Sequence, residues 1–280
     1  MSKTTILVCA HKKDACLTNA PYLPIQVGKT LSKVDLGFQG DDTGDHISAK
    51  NRNYCELTAH YWAWKNLGEA DYVGLNHYRR YFDFESCAPT NVKTVTTAAF
   101  FDKEHAAPDM DALFARYDMV MARPKIYACN LYTDYCHCHI ESDLEVLRQV
   151  VAAKYPTYIK SFDRVFFDNN RLSHFNMFIL PRAQFDAYSA WLFDILFEVE
   201  RRIRISDDPV QARVFGYMSE RLLMVYAQAN RLRVCYKPVL MVDDKKRKGL
   251  LKYLFHAVVN NVLFYATYLF RKRAPQPTTR

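Results

Sequence analysis

Apolar positions recur along this chain in two rhythms. Short, mostly apolar runs mark buried strands: residues 4–9, Tyr22 to Val27, Tyr72 to Leu75, Met119 to Ala122, Phe175 to Leu180, and about 233–242. Pro21 and Gly28 bracket the second run, and Pro181 closes the fifth. Longer stretches with helical spacing fall between them. The first covers about 51–67, with Tyr54, Leu57, Tyr61 and Trp64 on one face, Asp45 or Ser48 as its cap and Gly68 after its end. Others cover 141–153, stopping before Pro156, and 184–203. A last one, capped by Asp207 or Asp208 with Pro209 at its first position, runs to about Asn230. Residues 35–47 and 83–110 read as irregular. Strands alternating with helices predict an α/β fold with a mostly parallel sheet.

Composition adds limits. The chain has 280 residues, half of them apolar and 14% aromatic, enough for a substantial core in one large domain or two small ones. Its formal net charge is +8, but residues 245–280 hold nine Lys/Arg and no acid, which leaves 29 basic against 30 acidic residues in 1–244. A neutral body argues against a nucleic-acid partner, and the basic tail points to an anionic surface. No secretory pattern precedes the first strand, so the eight cysteines are expected to be reduced thiols in the cytoplasm. The run Cys136-His137-Cys138-His139 invites a zinc reading, but no second Cys-x-x-Cys pair completes four ligands.

The densest chemistry follows the third strand. Asp71-Tyr-Val-Gly-Leu-Asn-His-Tyr-Arg-Arg-Tyr-Phe82 passes from buried strand into a loop of donors and cations. Ligands of open α/β sheets bind at the carboxyl ends of strands, and adjacent arginines can grip phosphate oxygens. This run, together with Ile47–Ala59, Tyr61–Asn66, Tyr135 with His139 and Asp143-Leu144, Asn176-Met177-Phe178, Trp191–Leu196, and Arg213–Gly216 with Ser219–Leu222, resembles a bacterial glycosyltransferase family. The family serves capsule, exopolysaccharide and O-antigen synthesis. It was long described as a domain of unknown function and has galactofuranosyltransferase members. The resemblance covers about residues 3–242. It implies a Rossmann-like nucleotide-sugar glycosyltransferase fold of the GT-A type and an inverting transfer from a UDP-sugar, with β-galactofuranose from UDP-galactofuranose as the expected donor sugar.

Such folds usually end this strand in Asp-x-Asp, which holds a divalent metal on the donor diphosphate. Here His77 and Arg79 stand where the aspartates would be. The expectation is therefore that no metal is used and that His77, Tyr78, Arg79 and Arg80 neutralise the diphosphate. The resemblance places His11, Lys50 and Asn51 near the nucleotide or sugar, with loop or capping roles as the plainer alternative. Glu220 is the expected general base and Asp194 the runner-up; each could instead be an ordinary helix residue in an ion pair. His139 and Asp143, four apart on one helix face, and Asn176 and Arg213 are candidates for the donor or acceptor site.

Three segments result: a catalytic domain over 1–244, a basic amphipathic helix over 245–273, and a disordered tail over 274–280. Lys252, His256, Asn260 and Thr267 form one stripe of that helix; Leu251, Leu254, Val258, Val262, Tyr265 and Leu269 lie opposite. Such a helix suits the membrane interface. The expected location is the cytoplasmic face of the inner membrane, peripherally bound, with a lipid-linked oligosaccharide as acceptor and other polysaccharide-assembly enzymes as possible neighbours. Transfer of another UDP-hexose, or a non-catalytic assembly subunit docked on the membrane, are the alternatives.

Overall fold

The computed structural model describes residues 2–86, 89–105, 107–245 and 250–273, apart from the side chains of 250 and 269–273. Chain order is β1 (Thr4–Ala10), β2 (Tyr22–Gln26), β3 (Gln39–Gly40), α1 (Asn51–Tyr54), α2 (Leu57–Asn66), β4 (Tyr72–His77), β5 (Arg80–Phe82) and β6 (Val92–Val95). Then come α3 (Thr97–Phe101), α4 (Met110–Phe114), β7 (Met119–Ala122), β8 (Lys125–Ile126), α5 (Leu131–Cys138), α6 (Glu141–Lys154), α7 (Ile159–Phe167) and β9 (Arg171–Leu172). The chain continues with β10 (Phe178–Pro181), α8 (Arg182–Arg202), α9 (Val214–Ala229), β11 (Val234–Lys237), β12 (Val239–Val242) and α10 (Leu250–Arg273).

The main sheet has the order β11-β7-β10-β4-β1-β2-β3. Only β10 runs against its neighbours; β4 pairs parallel with β1 from Thr4↔Tyr72 to Cys9↔His77. The expected α/β class with a largely parallel sheet is what is observed. β4 sits at its centre because its residues are apolar on both faces. Gly74 is required there: a Cβ would lie 2.9 Å from Ile179 Cγ1 and 3.2 Å from the Phe178 carbonyl oxygen. Beyond β4 the chain turns back as β5, which pairs with β4 and β12, and β12 pairs with β6, so a three-stranded branch extends the sheet at the carboxyl end of β4.

Successive residues of β1 face opposite ways. Leu7 and Cys9 join a core with Leu75, Tyr54, Phe178, Phe193 and Phe215, under the long helices. Ile6, Val8 and Ala10 join a second core with Tyr81, Phe82, Phe100 and Val239. Each such side chain, fully buried, contributes roughly 1.5–3 kcal/mol. Arg233 stitches β11 to the start of β7 by a forked pair with Asp118 at 2.8 and 2.9 Å.

Several expectations are corrected. The helix expected over 51–67 is broken at Cys55, whose backbone has φ 53° and ψ −130°. Its proposed caps do other work: Ser48 Oγ donates to Asp41 Oδ1 at 2.5 Å, and the Asp45 carboxylate accepts from Tyr61. Phe175 and Asn176 have left-handed φ values of 78° and 51°, so β10 begins only at Phe178. The helix expected from Pro209 begins at Val214; Asp208 caps a preceding 3-10 turn by accepting from the Val210 and Gln211 amides. The strand expected over 233–242 is divided at Pro238, with β11 beside β7 at one edge of the sheet and β12 in the branch with β5 and β6. Residues 83–110 include β6 and α3, because the Thr96 side chain caps a short turn of helix.

α10 packs on the body through Asn260, which donates to the Ile126 carbonyl at 2.9 Å, through Asn261, and through buried Phe264. Asn260 therefore faces the body, while Leu251 (83% exposed), Phe255, Val258, Val262 and Tyr265 face outward. No described helix is long and apolar enough to cross a membrane. The tail expected over 274–280 lies outside the described residues.

Candidate active site

A cavity of about 580 Å³ opens at the carboxyl ends of β1, β2 and β4. A sheet with parallel strands places its ligands there. His11 follows β1, Val27 follows β2, and His77 to Arg80 follow β4; Asn51, Arg52, Cys55 and Glu56 come from the broken helix. Arg213 and the end of β12 close the other side. The turn after β2 is held by Asp41, which accepts from the Gly28 and Lys29 amides at 2.7 and 3.0 Å. Gly28 (φ +65°) is needed because the Asn51 side chain would lie 2.7 Å from a Cβ there.

The hub is the left-handed turn at Phe175-Asn176. His77 Nε2 donates to the Phe175 carbonyl at 2.7 Å, and the Phe175 amide donates to Glu220 Oε1 at 2.7 Å. Asn176 Nδ2 donates to Glu56 Oε1 at 2.6 Å and to the Gly216 carbonyl at 3.1 Å, while Ser219 donates to Asn176 Oδ1 at 2.8 Å. Two strained backbone segments, at Cys55 and at Phe175-Asn176, are thus tied together through Glu56. Non-glycine residues in such conformations cost of order 1–3 kcal/mol each and persist where their surroundings over-determine them. The return on that strain is a carboxylate aimed into the cavity wall.

The two arginines after β4 differ. Arg79 is held outside by Asp14, through Nε at 2.9 Å and Nη2 at 2.6 Å. Arg80 points inward, with its guanidinium 4.6 Å from the Phe175 ring centre and its buried Nε without a hydrogen-bond partner. Burial pulls its pKa down, against the pull of Glu56 and Glu220. His11 is lowered by burial and then by Lys12, Arg213, Arg80 and Arg79, which shows how electropositive the cavity is. Arg213 Nε lies 3.3 Å from Cys55 Sγ. Four arginines face two carboxylates, Glu56 and Asp243, across this space.

His77, Tyr78, Arg79, Arg80, His11, Asn51 and Arg213 are therefore brought together on one cavity. His77 is lowered by burial and spends Nε2 on a carbonyl, so at neutral pH it supplies no cation there. Asn51 also braces the helix break, donating to the Cys55 carbonyl at 2.7 Å. Asn176 is buried and fully hydrogen-bonded behind the wall.

Other candidates lie elsewhere. Lys50 turns away to pair with Glu200 at 2.6 Å. Asp194 pairs with Lys154 at 2.5 Å and accepts from Tyr155 on the outer surface of α8. His139 and Asp143 do not share a helix: the chain breaks between α5 and α6, His139 stacks on Tyr217 at 4.0 Å, and Asp143 is buried in α6 with its carboxyl pushed up by burial. Glu220 is not in the cavity wall; its side chain is 15% exposed and holds the Phe175 amide, with His174 Nδ1 3.7 Å away. Burial raises its pKa, but the nearby His174, the charge of Arg221 and the Phe175 amide outweigh that and keep it low. Glu56 was not singled out from the sequence, where it reads as the solvent side of a continuous helix. Among the described residues no group of three or more His, Cys, Asp or Glu side chains could hold a metal ion.

A larger cleft of about 1000 Å³ lies beyond the end of β7, beside α10. The smaller cavity is the better candidate, because the converging polar groups and the strained backbone are there.

A family described as a domain of unknown function, DUF4422, matches residues 5–231. No curated protein matches the chain. Among solved structures, one described as the apo form of the bifunctional glycosyltransferase WbbM superposes with a TM-score of 0.78 at 30% identity. The match covers 88% of this chain and 46% of that one, so the chain spans about half the length of the WbbM structure.

Proposed function

The chain belongs to the DUF4422 family, a domain of unknown function, and on that premise we propose that it is an inverting glycosyltransferase that uses a UDP-sugar donor. The observation that carries this is Arg80, an inward-facing cation without a hydrogen-bond partner at Nε, across the cavity from a carboxylate held by strained backbone. The fold is shared with a glycosyltransferase, which supports the same reading.

In the proposed reaction Glu56 takes the proton of the acceptor hydroxyl. The oxygen attacks the anomeric carbon, the bond from that carbon to the diphosphate breaks, and its electron pair leaves with UDP. A single displacement inverts the anomeric centre. Arg80 and Arg213, with Arg79 at the rim, stabilise the charge that develops on the leaving diphosphate. His77 and Glu220 act as positioning residues by clamping the Phe175-Asn176 turn. The donor sugar we propose is galactofuranose, on the resemblance of the motifs, and the acceptor a lipid-linked glycan of a bacterial surface polysaccharide. The outward apolar stripe and basic flanks of α10 support work at the cytoplasmic membrane surface.

A UDP thermal shift followed by a donor screen on lipid-linked acceptors tests the reading. Glu56→Gln should abolish turnover and keep the UDP shift; Glu220→Gln should lower turnover and UDP binding together, since it loosens the wall. Full activity in Glu56→Gln would remove Glu56 as base. UDP binding without turnover on any donor would favour a non-catalytic subunit.

A further inference from the structure

The larger cleft opens between α7, α9, β11 and the N-terminal half of α10. Its floor is apolar, with Ile126, Met224, Val234 and Tyr253, and four arginines line it: Arg123, Arg164, Arg171 and Arg231. The one carboxylate in its lining, Asp168, already accepts from Tyr268 at 3.1 Å. Among the described residues Arg164, Arg171 and Arg231 have no carboxylate within ion-pair distance. Arginines that outnumber the acids beside them repel one another, and an anion with several acceptor oxygens relieves that. An apolar floor beneath a cationic rim suits an amphiphile with an anionic head better than a free ion. Tyr253 in this wall lies on α10 between Leu251 and Phe255, two of its most exposed apolar residues.

We propose that this cleft seats the phosphate headgroup of an anionic membrane phospholipid, while the α10 stripe lies among the acyl chains. The proposal rests on the reading of α10 as a membrane-surface element, and its test is vesicle binding, which is read independently of sugar transfer.

The full chain is floated with phosphatidylcholine vesicles, with and without phosphatidylglycerol. Wild type should partition only onto the anionic vesicles. Arg164→Glu/Arg171→Glu should lose about 30-fold or more in partitioning, from a factor of about five per arginine, whereas the equal charge change Lys33→Glu/Lys103→Glu should lose far less. An unchanged UDP thermal shift in each variant shows that the fold is intact. Equal loss in both double variants overturns the headgroup site, because total charge then explains binding. Wild-type partitioning by Arg164→Glu/Arg171→Glu, with binding lost in Leu251→Ser/Phe255→Ser, overturns it too and leaves the membrane reading standing. Competition by millimolar inorganic phosphate would make the cleft a free-phosphate site. A concentration-dependent dimer abolished by Leu251→Ser/Phe255→Ser would make the stripe an interface between copies.

Discussion

Arg80→Met separates function from stability at one side chain. Arg80 lines the cavity and its buried Nε has no acceptor; against the cost of that burial stand the Phe175 ring at 4.6 Å and the negative charges of Glu56 and Glu220. An unsatisfied buried donor costs about 1–3 kcal/mol, more when charged, and a cation–π contact returns about 0.5–2 kcal/mol. Methionine keeps the length and apolar bulk over the ring. The relieved burial cost and the lost attraction to Glu56 and Glu220 offset each other, so stability should change by less than about 1 kcal/mol, a melting temperature within about 2–4 °C of wild type. Removing one donor aimed at developing anionic charge costs about 2.7–4 kcal/mol in the transition state, so kcat should fall about 100- to 1000-fold. Arg80→Lys should recover only part of that, since a point charge cannot make the forked contact. The assays are differential scanning calorimetry without ligand and single-turnover transfer. A melting temperature several degrees lower, with activity falling in proportion, would refute the reasoning: Arg80 would then be a structural residue whose partner is the protein itself.

Three further outcomes follow from other sites. His60 is enclosed by Phe178, Phe185, Tyr188 and Phe193, and burial lowers its pKa to about 3. Its contribution is complete above the unfolded value near 6.5 and is lost as pH falls toward 3, at about 1.4 kcal/mol per pH unit; urea melts at pH 7.5 and 5.0 should differ by about 2 kcal/mol more in wild type than in His60→Leu, and equal differences would sink the assignment. Because cations stand at the end of β4, transfer should be insensitive to EDTA; full loss with rescue by manganese would reverse that expectation. Gly74→Ala should destabilise by about 1–3 kcal/mol through the contacts with Ile179 and Phe178, and a neutral melt would show that β10 can shift away.

The buried strands were readable because parallel strands covered on both faces leave mostly apolar runs. The cations after β4 were readable for the same reason, since the run stops abruptly at Asn76. The break at Cys55 was not: Asn51 to Ala59 has no Gly or Pro, and every residue tolerates a helix. A local bond from Asn51 to the Cys55 carbonyl and a long-range one from Asn176 to Glu56 hold the positive φ. Phe175 and Asn176 carry a strand-like apolar pattern for the same reason, and the turn there is enforced by Glu220 and His77 from distant segments. Glu56 was hidden by that misreading. Glu220 and Asp194 were chosen as acids late in the chain, and nothing local distinguishes a carboxylate that faces a cavity from one that holds a backbone amide. β10 could not be assigned its direction, because hydrophobic runs carry no polarity.

The division at Pro238 sets a length scale for the whole molecule. β12 gives Met241 and Val242 to the cavity wall, and α10 begins at Leu250. Seven residues of sequence separate them, a span of at most roughly 25 Å. With α10 docked on the body through Asn260 and Phe264, the cavity wall stays within that distance of its first turn. If α10 lies on a bilayer and the cavity carries out the proposed transfer, it is matched to acceptors whose growing end stands only a few sugar units above the lipid, and longer chains must fold back to be extended.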